Sequence, residues 1–214
     1  GTIVENLASE AAKRDITTGT RVAYTPEPSG KRKASEVFDE LPEKGQEGVV
    51  MGFDEINADG GILGEKVNLV AYDSQTDPQN SRAMVQKAID EGTFVLMGTV
   101  YSSSTVVNML VAQQAGIPQF TGSEAPAITA KGNPYIFRTT FGAQKGIPKM
   151  ARYMADEMGV KKVAVVWANT EFGKGGHSAF EEEVGNYGFE VVADIPTEQA
   201  QTDFSADVLK AKTS

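Results

Sequence analysis

The sequence predicts an α/β fold built on parallel, doubly wound sheets, and three observations predict it. From about residue 45 onward, stretches with apolar residues at helical spacing alternate with short strand-like runs. One of those runs, "TFVLMG", is almost wholly apolar, as a strand buried on both faces should be. The βαβαβ series then starts again after an aperiodic stretch, "TGSEAPAITAKGNPYIFRTTFGAQ", rich in Gly, Pro and Thr. Parallel strands joined by right-handed helical crossovers are the natural solution to such a series, and two series imply two lobes.

The elements follow in order. "GQEGVVMGFDEIN" places Val49, Val50, Phe53 and Ile56 at helical spacing, and "KVNLVAYD" follows as a strand. "DPQNSRAMVQKAIDEG" opens with Asp77 as cap and Pro78 at the first helical position, and carries an apolar face of Met84, Val85, Ala88 and Ile89. "SSSTVVNMLVAQQAG" begins a helix that Gly116 ends, and "IPQFTG" is the next strand. In the second series "KGIPKMARYMADEMG" is a helix with Met150, Tyr153, Met154 and Met158 on one side, read as core packing. "KKVAVVWAN", "GKGGHSAFEEEVGNYG", "FEVVADIP" and "DFSADVLKAK" are strand, helix, strand and helix. Within the crossover, "YIFRT" is a short strand-like piece.

The first 44 residues are of another kind. "TIVENLASEAAKRD" reads as a helix, "TRVAYTPEPSG" as a first strand running into a loop, and "KRKASEVFDELPEKG" as a charged loop with at most one helical turn. The division is therefore 1–44 as an extension with a candidate first strand, 45–134 as the first lobe, and 135–214 as a partial second lobe.

Composition narrows the function. The net charge of −9 leaves nothing to neutralise a nucleic-acid backbone or to attract an anionic membrane surface. The absence of cysteine excludes disulfides, thiolate catalysis and Cys-ligated metals. No apolar run reaches the roughly 18 residues that span a bilayer. Gly1 reads as a processed end, at which a removed signal peptide would leave no trace. His177 is the only histidine, so no His-rich metal site can form, and a surface position is expected for it. No cofactor or metal is expected.

Two glycine-rich stretches imitate binding motifs. "DEINADGGILGEK" places Glu55, Asn57 and Asp59 at alternate positions before Gly60, as a calcium loop would. The twelfth position, however, is Lys66 where a bidentate acid is needed, and a strand follows where an EF-hand has a helix. This stretch reads as a helix-to-strand turn, with Gly60 and Gly61 supplying left-handed backbone angles. "FGKGGHSAF" has Gly173 and Gly175 after a strand and Asp194 about twenty residues on, but Ser178 fills the third glycine position and "ANTEF" separates the strand from the first Gly. A dinucleotide fingerprint needs the tight turn there.

The stronger candidates lie where strands end. In "LMGTVYSSSTVV", Tyr101 to Thr105 sit at the carboxyl end of a buried strand, where open α/β sheets bind ligands. The helix that starts there offers backbone N–H groups and a positive dipole end, suited to a carboxylate. Capping explains one Ser and not the run of four hydroxyls at Ser102, Ser103, Ser104 and Thr105. "FTGSEAPAIT" brings Ser123 and Glu124 to the same edge, and "WANTEFGKGG" brings Asn169, Thr170, Glu171 and Phe172 to the matching edge of the second lobe. The three loops are expected to face one another across a cleft.

With these motifs in this order, the chain resembles the type I periplasmic solute-binding proteins of ABC uptake systems, the branched-chain amino acid (Leu/Ile/Val-binding) family. "FDEINADGGILGEKV", "DSQTDPQNSRAMVQKAI", "GTVYSSST", "GIPQFTGSEAPAIT", "PYIFRTT", "KVAVVWANTEFGKGG" and "TDFSADVLKAK" carry the likeness over residues 45 to 212. The resemblance implies two Rossmann-like lobes that close on a ligand, no catalysis, a periplasmic or extracellular location and a membrane ABC permease as partner. It implies that Ser102 and Ser103 contact a ligand carboxylate, with Tyr101 beside them among the ligand-binding residues, that Ser123 and Glu124 lie in the segment gripping an α-ammonium, and that Phe172 covers the ligand. The expected ligand is an amino acid or a similar small carboxylate. Three departures stand out. Glu124 occupies a position where the family has Thr, "RTTFGAQKG" lacks the acid often found after "RTT", and the "RVAYTPEPSG" region fits the family's first strand only loosely. Family members also run further. The chain is thus expected to be a fragment, to be completed by a second chain or by its own first 44 residues, or to be permuted. The alternative reading is a ligand-sensing receptor module of the same fold.

Overall fold

The computed structural model describes residues 24–26, 32–38 and 43–214. The helix read in "TIVENLASEAAKRD" lies outside the described residues. The described elements in chain order are β1 (Tyr24–Pro26), β2 (Arg32–Phe38), α1 (Glu43–Ala58), β3 (Val67–Asp73), α2 (Pro78–Asp90), β4 (Leu96–Met97), α3 (Ser102–Ala115), β5 (Gln119–Thr121), α4 (Ala127–Ala130), β6 (Ile136–Arg138), α5 (Ala143–Asp156), β7 (Lys162–Ala168), α6 (Glu171–Tyr187), β8 (Glu190–Thr197) and α7 (Ser205–Thr213). None of these helices is long and apolar enough to cross a membrane.

The chain divides into two compact units. One runs to Ser123 and takes in Ile128–Thr140; the other comprises Glu124–Ala127 and Phe141–Ser214. The sequence placed the division after residue 134. β6 instead pairs in parallel with β5, so backbone hydrogen bonding assigns it to the first unit.

In the first unit β2 is flanked by β3 on one edge and β4 on the other, and the sheet continues through β5 to β6 with every one of these pairings parallel. β1 adds an antiparallel segment to the start of β2. β2 corrects the sequence reading, which made "KRKASEVFDELPEKG" a loop. Its charges hide the strand, but two neighbouring strands satisfy its backbone whatever its composition, and such context outweighs propensity.

Helices cover both faces of this sheet, and the strand alternation shows how. Val67 and Leu69 of β3, with Met97 of β4, pack with Phe53 and Ile56 of α1. The intervening Val70 and Tyr72, with Leu96, pack with Val85 and Ala88 of α2 and Val111 and Ala112 of α3. The apolar face expected of α2 is the face that is buried. Its start is also as the sequence predicts: Asp77 Oδ1 accepts from Asn80 N at 2.7 Å, with Pro78 in the first turn. Asp77→Ala should remove about 1 kcal/mol of stability, readable as a lowered urea midpoint with unchanged slope.

The "DEINADGGILGEK" turn is built for geometry. α1 stops at Ala58, and Gly61 has φ +84° with the Glu65 carbonyl oxygen 1.9 Å from where a Cβ would stand. Asn57 is engaged with the strand: its Nδ2 donates to Val67 O and its Oδ1 accepts from Val67 N, both at 2.7 Å. It ties the helix end to β3.

In the second unit β7 and β8 pair in parallel, and α5 and α6 cover one face. Ala151, Val163, Phe180 and Phe189 form the buried centre, with the two Phe rings stacked at 5.7 Å. The Met stripe predicted as core is corrected here. Met150, Tyr153 (60% exposed) and Met158 face solvent, while Ile147, Ala151 and Met154 turn inward. The face that packs is centred about a quarter-turn from Met150 and Tyr153. α7 starts after Asp203, whose carboxyl is held below the usual range by the Ser205 backbone N–H at 2.9 Å.

Candidate functional site

Strand order decides where the first unit can bind a ligand. β2 is the central strand, the chain moves outward to β3, and it then crosses back over β2 to β4. The connections thus leave in opposite directions at the carboxyl ends of β2 and β4, the topological switch point at which open α/β sheets take their ligands. α3 begins just beyond β4, with Tyr101 in an extended conformation (φ −72°, ψ 114°) as its N-cap. No side chain caps this helix at that residue. Its positive dipole end therefore stands at the switch point.

The run of hydroxyls is divided by the helix turn. Thr105 turns into the molecule and becomes the hub of a buried network. Its Oγ1 lies 2.8 Å from Thr99 Oγ1, 2.7 Å from Ser123 Oγ and 3.2 Å from Thr121 Oγ1. Ser123 Oγ lies 2.8 Å from both Thr99 O and Val100 O, and Thr121 Oγ1 donates to Thr99 O at 2.5 Å. Thr99 Oγ1 lies 3.0 Å from Tyr101 O. All four residues are fully buried. The network binds the loop after β4, the first turn of α3 and the loop after β5 into one rigid body. A buried hydroxyl needs a partner, and here each finds several.

Of the predicted residues, Tyr101, Ser102, Ser103 and Ser123 belong to the first unit, at this one sheet edge. Tyr101 and Ser103 are half-buried and Ser102 is buried. The Ser123 hydroxyl is engaged inward, so it supports the loop and does not reach outward from it. Glu124 and Phe172 belong to the second unit. Glu124 is half-buried and its backbone carbonyl accepts from Ala143 N at 3.0 Å. Phe172 is 50% exposed in the first turn of α6, where Thr170 Oγ1 accepts from Gly173 N at 3.2 Å. Thr99 and Thr121 were missed in the sequence. The signal available was a Thr at or just past the carboxyl end of each of two successive strands.

The glycines of "FGKGGHSAF" prove to be steric. A Cβ on Gly173 would stand 1.9 Å from Ala168 O, and one on Gly175 2.6 Å from Pro126 Cδ. His177 is not on open surface as expected: its side chain is 14% exposed and lies between Glu181 and Asp194.

Comparison with known proteins gives a consistent result. The profile of the family described as periplasmic binding protein matches residues 35–214. The Leu/Ile/Val/Thr-binding protein of Salmonella typhimurium is 30% identical over 159 residues, covering 74% of this chain and 44% of the relative. The branched-chain amino acid transporter substrate-binding protein LivJ of Streptococcus pneumoniae, solved with isoleucine, superposes with a TM-score of 0.72 at 26% identity, covering 83% of this chain and 53% of that one. A solute-binding protein of an R. palustris ABC transporter, solved with 4-hydroxybenzoate, gives 0.70 at 25% identity, covering 83% and 50%. The chain thus spans less than half the length of the curated relative and about half that of the solved chains.

Proposed function

The chain belongs to the periplasmic binding protein family, and on that premise we propose that it is the ligand-binding part of a non-enzymatic solute receptor working outside the cytoplasm. It would take an amino acid or a similar small carboxylate and deliver it to an ABC permease in the membrane. The observation that carries this reading is the start of α3 at the switch point of the first sheet, held in place by the buried hydroxyl network. A fixed positive helix end is a carboxylate receptor, because it needs no reorganisation when the anion arrives. Isoleucine and 4-hydroxybenzoate, the ligands of the two solved relatives, differ in all but their carboxylate, which supports the same reading.

Within that proposal, Tyr101, Ser102 and Ser103 hold the carboxylate. Ser123 contributes its backbone carbonyl, since its hydroxyl and its N–H are both taken up inside. Glu124 and Phe172 enter through the family resemblance alone. Glu124 would pair with a cationic group on the ligand, and Phe172 would cover it.

The test is a thermal-shift panel of amino acids and small carboxylates against the chain, followed by calorimetry on those that stabilise it. Stabilisation should grow with free ligand over dissociation constant. Ser102→Ala should weaken carboxylate ligands roughly tenfold, the worth of one hydrogen bond to a charged group. Glu124→Thr should change which ligands bind, lowering preference for those with an ammonium group. No stabilisation by any panel member, or unchanged affinities in both variants, overturns the assignment.

A further inference from the structure

We propose that His177, Glu181 and Asp194 form a binding site for a divalent first-row transition metal of the Zn2+ class on the second unit, with Trp167 orienting its ligands. The lone histidine of the chain sits between two carboxylates: Nε2 is 3.1 Å from Asp194 Oδ2, and Nδ1, on the other edge of the ring, is 3.6 Å from Glu181 Oε2, so an ion taken by Nε2 and Asp194 would draw the exposed Glu181 side chain round to it. One ligand atom from each of the three residues lies within 4.8 Å of the others. Two ligands bound at about 2.0–2.2 Å to one tetrahedral ion stand roughly 3.3 Å apart, close to the spacing between Nε2 and Oδ2. His177 and Glu181 are four residues apart on α6, the spacing that puts two ligands on one helix face. Asp194 comes from the adjacent β8, so an ion would join helix to strand.

The outer partner of a metal site is present as well. Trp167 Nε1 donates to Asp194 Oδ1 at 2.7 Å, which fixes the carboxylate with Oδ2 toward the imidazole. The indole ring lies on the imidazole at 4.6 Å between centroids and restrains it. Glu181 and Asp194 are open to solvent, and the cluster borders a hollow of about 220 Å3 floored by Val165, Phe180 and Val184. Water can therefore complete the coordination shell. An imidazole with two carboxylates and no thiolate favours Zn2+, Ni2+ or Cu2+ over Ca2+ and Mg2+, which take oxygen ligands alone. As ion pairs only, these exposed carboxylates would contribute about 0–1 kcal/mol each, so stability by itself gives little reason for three groups to converge.

The chain carries its own reporter, because Trp167 is the only tryptophan and touches the site. The full chain, without a histidine tag, is titrated with Ni2+ at neutral pH while indole fluorescence is followed. Saturable quenching is expected, with one ion per chain, reversed by excess Zn2+ and not by Mg2+ or Ca2+. Zn2+ should raise the thermal midpoint. His177→Gln should abolish quenching, and Asp194→Asn should weaken it roughly tenfold or more. Glu181→Gln alters one exposed side chain on a helix surface, cannot unfold the chain, and should weaken binding with an unchanged circular dichroism spectrum. Absence of saturable quenching in the wild type, or equal quenching in wild type, His177→Gln and Glu181→Gln, overturns the proposal.

Discussion

Gly173→Ala is expected to lower the stability of the second unit by about 3 kcal/mol. Gly173 lies in the first turn of α6, and a Cβ there would stand 1.9 Å from the Ala168 carbonyl oxygen and 2.8 Å from its carbon. These are backbone atoms at the end of β7, so no rotamer change can relieve the overlap. Either α6 withdraws from the strand or the Thr170 cap on Gly173 N opens. Overpacking a filled site costs typically 1–3 kcal/mol, and losing a cap about 1 more. Gly176→Ala is the matched control, three residues along the same helix. Nothing lies within 4 Å of its Cβ position, so the change should stabilise by about 0.5–1 kcal/mol through helix propensity. Urea unfolding followed through Trp167 reads the second unit directly. Equal stability of Gly173→Ala and wild type would mean that the close approach is not what requires glycine there.

That result bears on how a sequence like this is read. Gly173 and Gly175 have the form of a phosphate-binding loop, yet both are explained by what they touch: a strand carbonyl and a proline ring. The features that could be read directly were those with local causes. Asp77 and Pro78 open α2, and Gly116 at φ +69° closes α3, because capping chemistry lies within a few residues. β2 is not legible, since its parallel partners in β3 and β4 lie 35 or more residues on. The exposed Met150 and Tyr153 were misread for a related reason. Helical spacing shows that a face exists, and packing against Val163 and Phe180 decides which face is inside. The candidate site divides in the same way. A strand, a helix start and a hydroxyl run mark its position in the sequence. Which hydroxyl turns inward depends on Thr99, Thr121 and Ser123, brought together only by the sheet.

Thr105→Val is expected to lower the stability of the first unit by about 3 kcal/mol, although it replaces one atom with another of similar size. The hydroxyl it removes lies 2.7 Å from Ser123 Oγ and 2.8 Å from Thr99 Oγ1, and a methyl group cannot approach oxygen that closely. The loop after β5 must therefore move. A buried polar group left without its partner costs about 1–3 kcal/mol, and crowding adds to that. Thr105→Ser keeps the hydroxyl and should cost under about 1.5 kcal/mol. Chemical denaturation by circular dichroism measures both. Amide exchange should quicken at the start of α3 and around Ser123 in the valine variant. The comparison with Ser102→Ala separates scaffold from receptor. Ser102→Ala should weaken carboxylate binding with a smaller loss of stability, whereas Thr105→Val should weaken it together with a larger loss, because the helix start that receives the anion is no longer fixed. If Thr105→Val abolished binding while leaving stability unchanged, Thr105 would be a ligand group itself, and the network would not be the support on which the site rests.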